Sequence, residues 1–275
     1  MARTPEGRER RKHDVRTRSR ADADGLPRTC TLPGCYLPTM RTEGKGLSSF
    51  RCRYHVQFEA RHGSPWKRSY TAKELEPFRL AARAWIVENR EQPKVSLGLA
   101  QLEALLQGAG RAEIATRLRG VKPKERARIA LARLRNAGIA PSLLLEIILA
   151  IHMIIKEDPT THRSREFRVC QIAKACHRLA SGHHQRWTRE TEHGPVVVSE
   201  VHAYPRSSGQ VLRHLGTQLD TSAEWIVEAF LDDLLARKIE THGHFVPAET
   251  TAATPLPNVN RLPSRTPAKS SQPWR

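Results

Sequence analysis

The chain lacks any apolar run of 18 residues, so nothing in it reads as a membrane span. Its longest apolar stretch, Leu143 to Ile155, is interrupted by Glu146 and His152 and suits a buried helix better. Aromatic residues are scarce, at 5% of 275, and hydrophobic residues reach only 39%, so a fair share of the length is expected to lie in tails. No apolar signal segment opens the sequence, and the cysteine count is five, an odd number. Both features argue against a disulfide framework in an oxidising compartment, and the expected location is cytoplasmic. No internal repeat is visible.

Positive charge is what the chain has in excess. The net charge is +18. A polyanion partner is the simplest reason for that balance, because neutralising phosphates releases counterions. Solubility, or an Arg-rich genomic composition, is the bland alternative. The charge is segregated: the first 20 residues, the segment around 30–69, the stretch 122–135 and the stretch 162–189 are basic, whereas acidic residues outnumber basic ones over 191–244. Segregation of this kind argues for a binding surface.

Cys30, Cys35, Cys52 and His55 are the most specific feature. They read as C-x4-C, a spacer of sixteen residues, then C-x2-H. Thiolates and imidazole in two close pairs are the ligand set of a structural zinc site. Pro33 and Gly34 favour a tight turn between the first two sulfurs. The x2 spacing puts Cys52 and His55 on one side of the first turn of a short helix. The competing reading is a set of buried or free cysteines, in a segment too polar to bury them in a core of its own.

The run Cys52 to Pro65 adds Arg61, His62, Gly63 and Pro65 to the ligands. Together these positions resemble a small module of phage-encoded proteins, found ahead of the catalytic core of some HNH homing endonucleases. The resemblance spans residues 30–69, with a longer inter-pair loop and Val56 where the module usually has Tyr. It implies a structural Zn2+ and a DNA context. An HNH core would also need a general-base His followed by Asn and a second His. The chain has four Asn residues (Asn89, Asn136, Asn258, Asn260), none so placed, and no Asp or paired Asn follows His183 and His184 at a useful distance. Nuclease activity is therefore not carried over with the module.

The expected organisation is a basic arm (1–29), the zinc module (30–69), a helical core (70–160), a second helical part with a β-hairpin (161–244, possible as one domain with the preceding part), and a tail (245–275). The fold class is thus mainly α, a multi-helix body with one hairpin. Helices are expected over 71–89, with Pro77 delaying or bending the start, from Ser96 as N-cap, over 111–119, over 122–137, and from Pro141 as the central helix. A further helix covers 162–181, where Cys170, Cys176 and His177 are read as packing residues. Gln185–Thr191 and Val196–Tyr204 are strands about a turn at His193-Gly194-Pro195. Helices follow from Ser208 to Leu219 and from a capping box at Thr221 and Glu224.

Nucleic acid, DNA in preference to RNA, is the expected partner, and nucleoid association would follow. Candidate phosphate contacts are Arg51, Arg53, Arg61, Lys67 and Arg68 around the module, Lys124, Arg128 and Arg135 on the fourth helix, and Arg186 and Arg189 on the hairpin. A basic helix followed by a hairpin resembles a winged helix–turn–helix, with Trp187 beside those arginines. Two other readings stay open. Tyr204, Arg206 and His214 could mark a nuclease or recombinase centre. The acidic ridge Glu224, Glu228 and Asp232, on the helix 222–238, could dock a basic protein or a second copy.

Overall fold

The computed structural model describes residues 29–39, 48, 50–113, 118, 120–180, 184–201 and 208–247, with scattered positions between 4 and 13. The side chains of 184–187 and 198–201 are outside that description. So are most of the arm 1–29, the tail from 248, residues 114–117 of the expected third helix, and Tyr204 and Arg206. Residues 111–113 are not helical.

The fold is mainly helical, with eight helices and one two-stranded antiparallel hairpin among the described residues. The helices are α1 (Arg53–His62), α2 (Ala72–Glu88), α3 (Pro93–Gln107), α4 (Pro123–Asn136), α5 (Pro141–Glu157), α6 (Arg165–Leu179), α7 (Gly209–Thr221) and α8 (Glu224–His242). The strands β1 (His184–Thr191) and β2 (Gly194–Val201) lie between α6 and α7. None of the helices is long and apolar enough to cross a membrane.

Helix α5 is the centre. Leu144, Leu145, Ile147, Ile148, Leu149, Ile151, Met153 and Ile154 are all buried, so its apolar residues face every direction rather than one stripe. It packs against α2, α3, α6 and α8. Several charges in this core are paired, because an unpartnered buried charge is costly. Glu146 accepts from Arg79 and Arg83, His152 pairs with Asp220 at 2.8 Å, and the fully buried Lys238 donates to Glu157 while lying 4.1 Å from the Phe78 ring centre. His152 is thus a hydrogen-bonded core residue, and Cys170 and Cys176 are buried packing residues.

Several expected boundaries shift for local reasons. Helix α3 opens at Pro93 rather than after Ser96, since proline at the first helical position needs no N–H partner. Pro123 and Pro141 open α4 and α5 in the same way. Helix α2 begins directly after Thr71 and takes Pro77 inside it, so Pro77 does not delay the start. The capping box expected at Thr221 and Glu224 does not form: Thr221 is the last residue of α7, and Ala223 precedes α8 without a side-chain cap. The same S/T-x-x-E pattern does form a capping box at Thr71 and Glu74. In the hairpin, Thr191 pairs directly with Gly194, so the turn is Glu192-His193 and Gly194 opens the second strand.

Helix α6 crosses α7 closely. A Cβ placed on Gly216 would overlap the Val169 carbonyl of α6, so the two backbones meet there with no side chain between them. Gly216→Ala is expected to destabilise the protein by about 1–3 kcal/mol, through separation of the two helices. Urea unfolding of the variant checks this; an unchanged midpoint would refute the close crossing.

Candidate metal centre

The first ligand pair is shaped by a turn. Cys35 N–H donates to Leu32 C=O at 3.0 Å, and Gly34 adopts φ +75°, the left-handed conformation that glycine permits. Cys30 N–H donates to Leu37 C=O at 2.8 Å, which closes the loop behind the two sulfurs. Cys52 is the N-cap of α1, paired in a β-bridge with Thr39, and His55 follows in the first turn of that helix. All three thiols are buried.

The four ligand atoms lie within 4.8 Å of one another and could hold a metal ion. His55 Nδ1 is 3.4 Å from Cys30 Sγ and 3.3 Å from Cys52 Sγ, and Cys35 Sγ is 3.9 Å from Cys52 Sγ. A tetrahedral ion with metal–sulfur bonds of about 2.3 Å and metal–nitrogen bonds of about 2.0 Å has edges of about 3.8 Å and about 3.5 Å. These three edges match a four-coordinate ion closely, and no other edge exceeds 4.8 Å. Burial, and then the neighbouring thiols Cys30 and Cys52, push the Cys35 thiol up to about 11. A central cation would relieve that crowding, since it stabilises thiolates.

The module is fastened to the helical body through α1. Gly63 ends the helix at φ +76°, and a Cβ there would come within 2.5 Å of the Glu166 carbonyl at the start of α6. His62 C=O accepts from Gln171 Nε2 at 2.9 Å. Its ring Nδ1 accepts from Ser69 N–H at 3.0 Å and faces Ser69 Oγ and Lys174 Nζ at 2.9 and 3.2 Å. Arg213 of α7 donates to Ala60 C=O at 3.2 Å. Downstream of α1, Asp158 at the end of α5 accepts from Lys67 Nζ at 2.6 Å and Tyr70 Oη at 2.9 Å. The Arg-His-Gly-x-Pro run is thus a docking element.

The expected phosphate contacts divide by environment. Arg51 pairs with Glu59, Lys67 with Asp158, and Arg68 with Glu74. Arg128 pairs with Glu125 and donates to Ala109 C=O at 2.5 Å, while Arg135 donates to Gly110 C=O at 2.6 Å and Gln107 C=O at 3.3 Å. These two guanidiniums serve the carbonyls left open at the end of α3. Arg53, Arg61, Lys124 and Arg189 are exposed, with no ion pair among the described residues. Arg186 lies on β1, with its side chain outside the description. His214 is exposed on α7. On the acidic ridge, Glu224 and Glu228 are exposed, and Asp232 is paired with Lys156.

Sequence reading did not single out Lys174 and Arg178, one turn apart on α6, or the buried face of His62. Burial, and then the charges of Lys174, Arg61 and Arg178, hold the His62 imidazole down at about 4. Burial first, and then Arg178, pull the Lys174 ammonium down to about 8. The signal available was only a set of basic residues on a helix far along the chain. No protein-family model, curated protein or solved structure matches this chain.

Two outcomes are expected. Cys52→Ser should lose bound metal, measured by elemental analysis of the purified protein, and should unfold the segment 30–65 while leaving the helical body's circular dichroism in place; retained metal and module structure would refute the site. The His62 imidazole titrates near 6.5 when unfolded but near 4 when folded, so the unfolded chain binds the extra proton between those values. Its contribution is fully present above pH 6.5 and is lost as pH falls toward 4. His62→Gln should flatten that part of the stability–pH curve.

Proposed function

We propose that this protein is a zinc-containing nucleic-acid-binding accessory protein, acting on DNA by binding without catalysis. The observation that carries the reading is the cluster of unpaired cations at the seam of the metal module and the body. Arg61 at the end of α1 and Lys174 and Arg178 on α6 make no ion pair among the described residues, and their charges lower the proton affinity of His62 between them after burial has done so. Uncompensated surface cations of this kind suit phosphates, and a rigid seam would hold them in fixed register. Arg53 and Lys124 are further exposed cations for the same role.

Zinc is the proposed ion because three thiols and one imidazole brought close together match the ligand set of its structural sites. Its role is to hold α1 in place. DNA rather than RNA, a phage, plasmid or other mobile-element origin, and nucleoid association rest on the resemblance of residues 30–69 to the phage module.

The test is binding of the metal-loaded chain to double-stranded DNA, single-stranded DNA and RNA across a salt series, with and without magnesium. Tight binding that weakens steeply with salt, on intact substrate, is expected. Arg61→Ala and Arg178→Ala should each lower the slope of log K against log salt by about 1. Arg68→Ala, whose partner is Glu74, should leave the slope unchanged. Magnesium-dependent cleavage, or no binding at low salt, would overturn the reading.

A further inference from the structure

Helices α2 and α6 both pack on α5 and leave a cavity of about 160 Å3 between them. We propose that this cavity binds a small organic carboxylate with an apolar body. Leu75, Ile147 and Ile151 are among its apolar walls, while Ser69, Lys174 and Arg178 supply polar and cationic groups. No Asp or Glu lines it.

The charge at this cavity has no internal answer. Lys174 Nζ donates to Ser69 Oγ at 2.8 Å and lies 3.2 Å from His62 Nδ1, and neither partner is an anion. Arg178, one helical turn on, is exposed and makes no ion pair among the described residues. Arg79, on the α2 wall, shares the single carboxylate of Glu146 with Arg83, so that group keeps one net positive charge. A half-buried ammonium beside a guanidinium, in the absence of a carboxylate, is a site short of one negative charge. Burial first, and then the Arg178 charge, lower the affinity of Lys174 for its proton, and an anion set against both groups would raise it.

The walls choose among anions. A fully hydrated inorganic ion gains nothing from Leu75, Ile147 and Ile151, whereas a ring or short chain buries apolar surface there. The volume is below the range of drug-sized pockets, which limits the guest to the size of benzoate or hexanoate. A carboxylate head has two acceptor oxygens, enough for Lys174 Nζ and the Arg178 guanidinium together. This inference does not rest on nucleic-acid binding.

The test is calorimetric titration of the full-length, metal-loaded protein with benzoate. Benzamide keeps the shape without the charge, and inorganic phosphate keeps the charge without the apolar body. Saturable benzoate binding is expected, with both comparison ligands weaker by about tenfold or more. Lys174→Met should weaken benzoate by about tenfold or more. Because that change also removes contacts to Ser69 and His62, Ala175→Phe provides a second variant: it leaves Lys174 in place, fills the cavity from the α6 wall, and should abolish binding in a protein that still melts cooperatively. Absence of saturation at about 10 mM benzoate, equal affinity for benzamide or phosphate, or unaltered binding in either folded variant overturns the site.

Discussion

Asp158 terminates the central helix and is fully buried, with three residues converging on its carboxylate. Lys67 and Tyr70 reach it from the segment that joins the metal module to α2, and Thr160 donates both its N–H and its hydroxyl from the turn that follows. Burial alone would raise its proton affinity, but the hydrogen bonds from Lys67, Thr160 and Tyr70 outweigh that and hold it below the ordinary aspartate range. A buried charge so fully partnered fixes the geometry of everything tied to it. Here that means the path from His62 to Thr71, and with it the angle at which α1 and its ligands leave the body. An ion held by the Cys30, Cys35, Cys52 and His55 cluster would organise the module from within, and the Asp158 network sets where the module sits.

Much of the chain's excess of arginine is internal architecture. Arg128 and Arg135 serve the end of α3, and the buried Arg133 donates to the Ala180 carbonyl at the end of α6 at 3.1 Å. A basic helix of this sequence looks like a phosphate-binding face, yet three of its guanidiniums answer open carbonyls on neighbouring helices. Among the described residues, Arg53 and Arg61 on α1, Arg178 on α6, Lys124 on α4 and Arg189 on β1 are exposed and make no ion pair. Net charge alone does not make that distinction; partners do.

The cluster of Cys30, Cys35, Cys52 and His55 was legible in the sequence because each pair is local and its spacing is a geometric statement. The central helix was legible too, since an apolar stretch opened by Pro141 and broken by one Glu and one His has few other uses. Capping was read less well. Thr71 and Thr221 stand in the same short pattern, and the difference is that α7 continues through Thr221, a fact of tertiary packing. The fates of Lys67, Arg128 and Arg135 were not legible, because their partners lie on other elements. Nor was the role of His62, whose contacts to Gln171 and Lys174 span 109 and 112 residues.

Those long separations bear on how the molecule is made. The surface that receives α1 is built from Gln171, Lys174 and Arg213, and the last of these meets Ala60 across 153 residues. A ribosome releases the module well before that surface exists, at a pace that leaves the N-terminal segment waiting for its seat. During that interval the Cys30, Cys35, Cys52 and His55 cluster, which spans fewer than thirty residues, is already complete. If the cluster holds an ion, its capture can precede synthesis of the body, and metal supplied during translation would then order the module before α6 arrives to receive α1.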